Sequence, residues 1–272
     1  MPAAAPSPVR SDATSRSLLS KVPEVTAIFW VTKVLTTGMG ETASDFLVRR
    51  INPFLAVALG FVAFAVALVL QLRARRYVPW IYWLAVSMVS VFGTMAADVV
   101  HIGFGVPYVV STVAFLLALA AVFAVWNATE HTLSIHSIYT RRRELFYWAT
   151  VLTTFALGTA AGDMTASTMH LGYFASGVLF AVVIAIPALA HWRLGLNAIV
   201  AFWLAYIVTR PLGASFADWL GVPASRRGLD LGTGPVTLTL AALIAVLVGY
   251  LTVTHADVPE QEREAALTST GN

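Results

Sequence analysis

Four segments of the chain align without gaps: FWVTKVLTTGMGETASD, YWLAVSMVSVFGTMAAD, YWATVLTTFALGTAAGD and FWLAYIVTRPLGASFAD. Each reads aromatic residue, Trp, nine residues, Gly, four residues, Asp. The fixed positions are Trp30, Gly40 and Asp45; Trp83, Gly93 and Asp98; Trp148, Gly158 and Asp163; and Trp203, Gly213 and Asp218. They use four of the eight Trp and four of the seven Asp, so chance does not explain them. Successive copies are offset by 53, 65 and 55 residues, and the long offset holds an inserted loop, NATEHTLSIHSIYTRRRE. Such a chain must solve one folding problem four times and then pack the four solutions together.

The chemistry of one copy settles where that packing takes place. The chain is 58% hydrophobic and 11% charged, against about a quarter charged in soluble domains. Too few polar side chains remain to cover a water-facing surface, whereas a lipid-facing surface needs none. Eight runs approach the roughly 20 apolar residues of a membrane-spanning helix, near 25–47, 52–72, 80–100, 107–126, 145–166, 172–190, 198–220 and 235–254. The even-numbered runs lack charge, and each odd-numbered run holds at least one ionisable residue. Alternating ten-residue strands of a β-barrel are missing, so the expected class is an all-α membrane protein of eight transmembrane helices.

Eight spans put both termini on one side. Eleven basic residues fall there, including Arg73, Arg75, Arg76 and Arg141 to Arg143, against Arg49, Arg50, Arg226 and Arg227 on the other. The positive-inside rule makes the termini cytoplasmic. Residues 1–22, rich in Pro, Ala and Ser, read as a disordered tail, and residues 256–272 as an acidic one. Between them lies one transmembrane domain, 23–255, with units near 25–72, 80–126, 145–190 and 198–254.

Two helices per unit return the chain to its starting side, so the units should be parallel rather than inverted. The charged odd helices should stand inside and the apolar even helices outside. The repeated Gly suits close helix contact. These residues resemble a bacterial family of four tandem two-helix repeats of unknown function, each with a characteristic Trp. The resemblance covers about residues 25 to 255 and implies the fold and the repeat number.

At 100° per residue, positions 3, 7, 11, 14 and 15 after each Trp share one face. In the first copy these are Lys33, Thr37, Glu41, Ser44 and Asp45. About two turns after the Trp the copies carry Thr37, Ser90, Thr154 and Arg210; a turn later they carry Glu41, Thr94, Thr159 and Ala214. Fifteen residues span about 22 Å, so a Trp at the cytoplasmic interface places the four Asp near the outer end. Only the first copy has Lys33 and Glu41, and only the fourth has Arg210. An unpaired charge at bilayer depth costs at least about 2.5–3.5 kcal/mol, which makes Lys33 and Arg210 the expected partners of Glu41 and the Asp set.

The candidate ion-binding residues are therefore Glu41, Asp45, Asp98, Asp163 and Asp218. Glu41, Asp45 and His101 are candidate ligands for a divalent metal. Plainer readings stand beside these: Trp as interfacial anchors, Asp as helix caps or ties between units, and His101 and His170 as solvated loop residues. No phosphate loop, HExxH, GxSxG or cysteine pair occurs, so neither an enzyme nor a bound cofactor is expected. The expected function is secondary transport or export of a small cation, a divalent metal included, with the carboxylates as ion or proton sites. Its partners are the bilayer, the cation or proton and, in an oligomer, a second copy; the basic residues make no nucleic-acid surface. The alternatives are a membrane-embedded sensor or enzyme, and a structural membrane protein.

Overall fold

The computed structural model describes residues 20–258. Among the described residues eight long helices form: α1 (Ala27–Arg50), α2 (Pro53–Arg73), α3 (Pro79–Asp98), α4 (Tyr108–Glu130), α5 (Arg141–Asp163), α6 (Tyr173–Leu194), α7 (Ala198–Gly221) and α8 (Thr233–Thr254). There is no strand among the described residues. Local signals set the starts. The Thr26 and Thr140 hydroxyls accept the Phe29 and Arg143 amides, and the Asn52 and Asn197 side chains each accept two first-turn amides. Such caps satisfy donors that a helix leaves unpaired. Pro53 and Pro79 occupy the first turn, where the missing N–H costs nothing.

The helices lie where the apolar runs predict them. Seven are long and apolar enough to cross a membrane. The eighth, α1, is long enough but more polar. Lys33, Glu41, Asp45, Arg49 and Arg50 all fall in α1, and its polar face lowers its mean hydropathy. The set is consistent with a multi-pass membrane protein. Two helices also run past their expected ends: Val99–Gly103 and Met164–Thr168 continue α3 and α5 as single π-helical segments.

The odd helices form a closed ring in which α1 packs on α3, α3 on α5, α5 on α7 and α7 on α1. Each even helix packs chiefly on the odd helix of the next unit: α2 on α3, α4 on α5, α6 on α7, and α8 back on α1. Helices of the same unit touch little. Every unit is therefore interlocked with its successor, and the last with the first. The outer helices bury only a narrow stripe. In α2 it is Ala56, Gly60, Phe64, Ala67 and Gln71, at helical spacing. The rest of α2 points outward, with Phe54, Leu59 and Val66 exposed.

Two contacts recur from unit to unit. The aromatic residue before each Trp packs on the Trp of the next unit: Phe29 on Trp83 at 5.7 Å, Tyr82 on Trp148 at 5.8 Å, Tyr147 on Trp203 at 6.2 Å, and Phe202 on Trp30 at 5.7 Å between ring centroids. Each repeated Gly packs on the residue seven positions after that next Trp. Gly40 meets Ser90, Gly93 meets Phe155, Gly158 meets Arg210, and Gly213 meets Thr37. In every case a β-carbon would intrude on the neighbour, so the Gly sets the spacing of the ring.

The aromatic end of the ring is closed by chain segments from both tails. Lys21, assigned from sequence to the disordered tail, is buried. Its Nζ donates to Glu144 Oε2 at 2.6 Å, and Gln71 donates to the other Glu144 oxygen at 3.2 Å. Asp257, assigned to the acidic tail, accepts from the Tyr77 hydroxyl, while its carbonyl accepts the Glu24 amide at 2.9 Å. Burial and the adjacent Asp257 carboxylate raise the Tyr77 hydroxyl well above its ordinary titration range, so it is the donor. The boundaries near 22 and 256 are corrected accordingly; residues 1–19 and 259–272 lie outside the described residues.

Candidate functional site

The inner faces of the four odd helices meet in levels, counted from each Trp. At position 3 stand Lys33, Val86, Val151 and Tyr206, all fully buried. At position 7 stand Thr37, Ser90, Phe155 and Arg210. Phe155 corrects the sequence reading, which put Thr154 on this face. The Thr154 hydroxyl instead turns back to the Val151 carbonyl at 2.6 Å. At position 11 stand Glu41, Thr94, Thr159 and Ala214, and at position 15 the four Asp.

Arg210 links these levels. Its side chain rises from position 7 of the fourth unit into the level of position 11, where its own unit has only Ala214. There Nη2 donates to Glu41 Oε2 at 2.7 Å, to Thr159 Oγ1 at 2.7 Å and to Thr94 Oγ1. Nη1 donates to the Thr37 carbonyl at 3.2 Å. One guanidinium thus touches the position-11 residue of all three other units. Breaking a buried pair of this kind costs about 3–5 kcal/mol, because the remaining charge is left uncompensated.

Lys33 is placed differently from expectation. It does not pair with Glu41. Its Nζ lies 4.3 Å from the ring centroids of both Phe155 and Tyr206 and has no hydrogen-bond partner among the described residues. The ring faces offer a buried ammonium partial compensation, worth about 2 kcal/mol when desolvated. Three ionisable side chains thus meet in the ring interior: Lys33, Arg210 and Glu41.

The four Asp divide into one paired and three unpaired. Asp45 accepts from Arg49 at 2.6 Å, one turn away on its own helix. Asp98, Asp163 and Asp218 accept no hydrogen bond at the carboxylate from any described residue. Each lies in the electrostatic field of Glu41, Asp45 and Arg210. Asp98 and Asp163 are the last α-helical residues before the two π segments, and Asp218 is buried near the end of α7. Single π turns inside helices are frequent at functional sites. No sequence signal marked these two.

His101 stands apart from Glu41 and Asp45. Its ring packs on Tyr108 at 4.3 Å, and its Nδ1 is within bonding distance of the Val106 carbonyl and the Ser111 hydroxyl. Among the described residues no three His, Asp or Glu side chains form a group fit to hold a metal ion, so the set Glu41, Asp45 and His101 is not assembled. Sequence reasoning also passed over Glu144, whose signal was a lone acid closing the run Arg141, Arg142, Arg143.

A ring of four inner helices, wrapped by four apolar ones and repeating its contacts from unit to unit, defines a tandem-repeat helical bundle with a charged interior. The chain belongs to the family described as Repeat of Unknown Function (DUF347), whose profile matches residues 28–77, 81–132, 146–196 and 201–257. Neither a curated protein nor a solved structure matches it.

Proposed function

We propose that this chain is a secondary transporter of a small cation in the bacterial inner membrane, with both termini cytoplasmic and its four parallel units arranged about a pseudo-fourfold axis. The recurring Phe/Tyr–Trp and Gly contacts support that symmetry, since only units pointing the same way repeat both at opposite ends of their helices. One observation carries the function: three repeat-equivalent carboxylates, Asp98, Asp163 and Asp218, have no donor among the described residues and share a field with Glu41. Intramembrane acids left without structural partners are sites for ions or protons. They form the outer vestibule, Glu41 is the deeper site, and Arg210 closes it.

A structural role for the same residues has its own support in the Arg210 network, which binds four units together. The two readings separate in proteoliposomes. Transport predicts cation or proton flux that Glu41→Gln and Asp163→Asn abolish while the purified variants stay folded. Equal flux in parent and variants would remove the proposed site, and loss of folding in Asp163→Asn would favour the structural reading.

A further inference from the structure

The surroundings of Arg210 Nη2 are unusual for a hydrogen-bonded nitrogen. A guanidinium Nη carries two hydrogens. Three oxygens, from Glu41, Thr94 and Thr159, nonetheless crowd this one, and the Thr37 carbonyl approaches Nη1. Oxygens converging on one positive point in excess of its hydrogens resemble the shell of a hard cation. The ligand types agree: one carboxylate, two hydroxyls and one carbonyl, all oxygen. The symmetry agrees as well. Three units supply an oxygen at position 11, or a carboxylate, while the fourth has Ala214 and sends in a charge from one turn away.

We propose that this cage is a binding site for a monovalent cation, and that the Arg210 guanidinium is its tethered occupant, displaced when the transported cation enters. This deepens the transport reading and rests on it for the direction of the exchange. Charge sets the class of substrate. The cage holds one carboxylate and balances one positive charge, whereas divalent ions take six or more oxygens or retain their waters, with several carboxylates among them. An incoming monocation replaces the guanidinium at Glu41, so Glu41 is neutralised before and after the exchange. The released guanidinium finds Asp98, Asp163 and Asp218, which have no hydrogen-bond donor among the described residues and already lie in its field. The divalent metal named from sequence is thereby replaced by a sodium-, potassium- or guanidinium-like ion.

The test is the thermal midpoint of purified Arg210→Ala at constant ionic strength, with choline chloride exchanged for sodium, potassium, guanidinium or magnesium chloride. At a hundredfold excess over Kd, an ion that fills the emptied cage should raise the midpoint by about 5 °C or more. The expected result is a rise with at least one monovalent ion, lost in Arg210→Ala with Glu41→Gln and smaller in the parent, where the guanidinium competes for the cage. A flat response to every ion, or a larger rise with magnesium, would overturn the proposal. Should Arg210→Ala not fold, Arg210→Lys decides. A shorter monocation should still serve the cage and melt within a few degrees of the parent; collapse of this variant as well would show that the cage needs a guanidinium fork, not a charge. Because this assay reads binding, it separates from flux: cation-dependent melting without transport by the parent would sink the transport reading alone.

Discussion

Gly213 of the fourth unit lies against Thr37 of the first, so closely that a β-carbon there would overlap the Thr37 hydroxyl and stand 2.6 Å from the Val34 carbonyl oxygen. This contact closes the ring, since it joins the last inner helix to the first. Backbone on one side and a buried hydroxyl on the other leave no flexible end to move aside. Gly213→Ala should destabilise by at least about 1–3 kcal/mol, the usual cost of overpacking. The equivalent changes at Gly40 and Gly158 should behave alike. Gly249 in α8 has nothing within 4 Å of its β-carbon position, so Gly249→Ala should leave the thermal midpoint unchanged or higher. Melting of the four variants in detergent checks this.

Arg210 and Glu41 should be coupled far beyond a surface pair. Glu41→Gln or Arg210→Met alone leaves a buried charge without its partner, at about 3–5 kcal/mol. The double variant removes both charges and should recover a large part of the loss. A double-mutant cycle on equilibrium unfolding reads the coupling directly; additive losses would show that the two side chains act independently.

Lys33 makes the opposite prediction. Its Nζ is buried between Phe155 and Tyr206 with no acceptor among the described residues. Desolvation costs several kcal/mol per ion, more than the ring faces return. Lys33→Met keeps the stem and removes the charge, so it should melt at or above the parent temperature. A strongly destabilised Lys33→Met would mean that the ammonium has a partner inside the bundle.

At the aromatic end, Lys21 and Glu144 join the segment before α1 to the first turn of α5, with Gln71 of α2 as third member. Glu144→Ala should destabilise the fold by about 3–5 kcal/mol through the stranded Lys21. Lys21→Met with Glu144→Leu should be milder than either single loss. Thermal melts of the three variants decide.

Much of this architecture was legible in the sequence because it is periodic. The Trp–Gly–Asp spacing located four units, and the alternation of charged and uncharged runs separated inner from outer helices. Glu41 and Arg210 stood out as departures from the repeat, and they do form the central pair. The rest depends on neighbours that a single helix wheel does not contain. Lys33 shares a face with Glu41, yet its stem leads to rings on α5 and α7. Phe155 rather than Thr154 faces inward because it is the seventh residue after Trp148, in register with Thr37, Ser90 and Arg210, and it lies against Gly93. The packing of each outer helix on the next unit is equally invisible from within one unit. In α1, Lys33 and Glu41 point into the ring, while Asp45 and Arg49 pair with each other at the helix end.

The central claim is that the unpaired Asp carboxylates and Glu41 form a cation path. Its most direct measurement is cation uptake into proteoliposomes by the parent and by the Asp98→Asn, Asp163→Asn, Asp218→Asn triple variant, with folding of both followed by melting. The account predicts flux in the parent, loss of flux in the triple variant, and a thermal midpoint that stays within a few degrees or rises, since no donor among the described residues is lost. Flux that survives the triple change, or a parent that moves no cation, would contradict it.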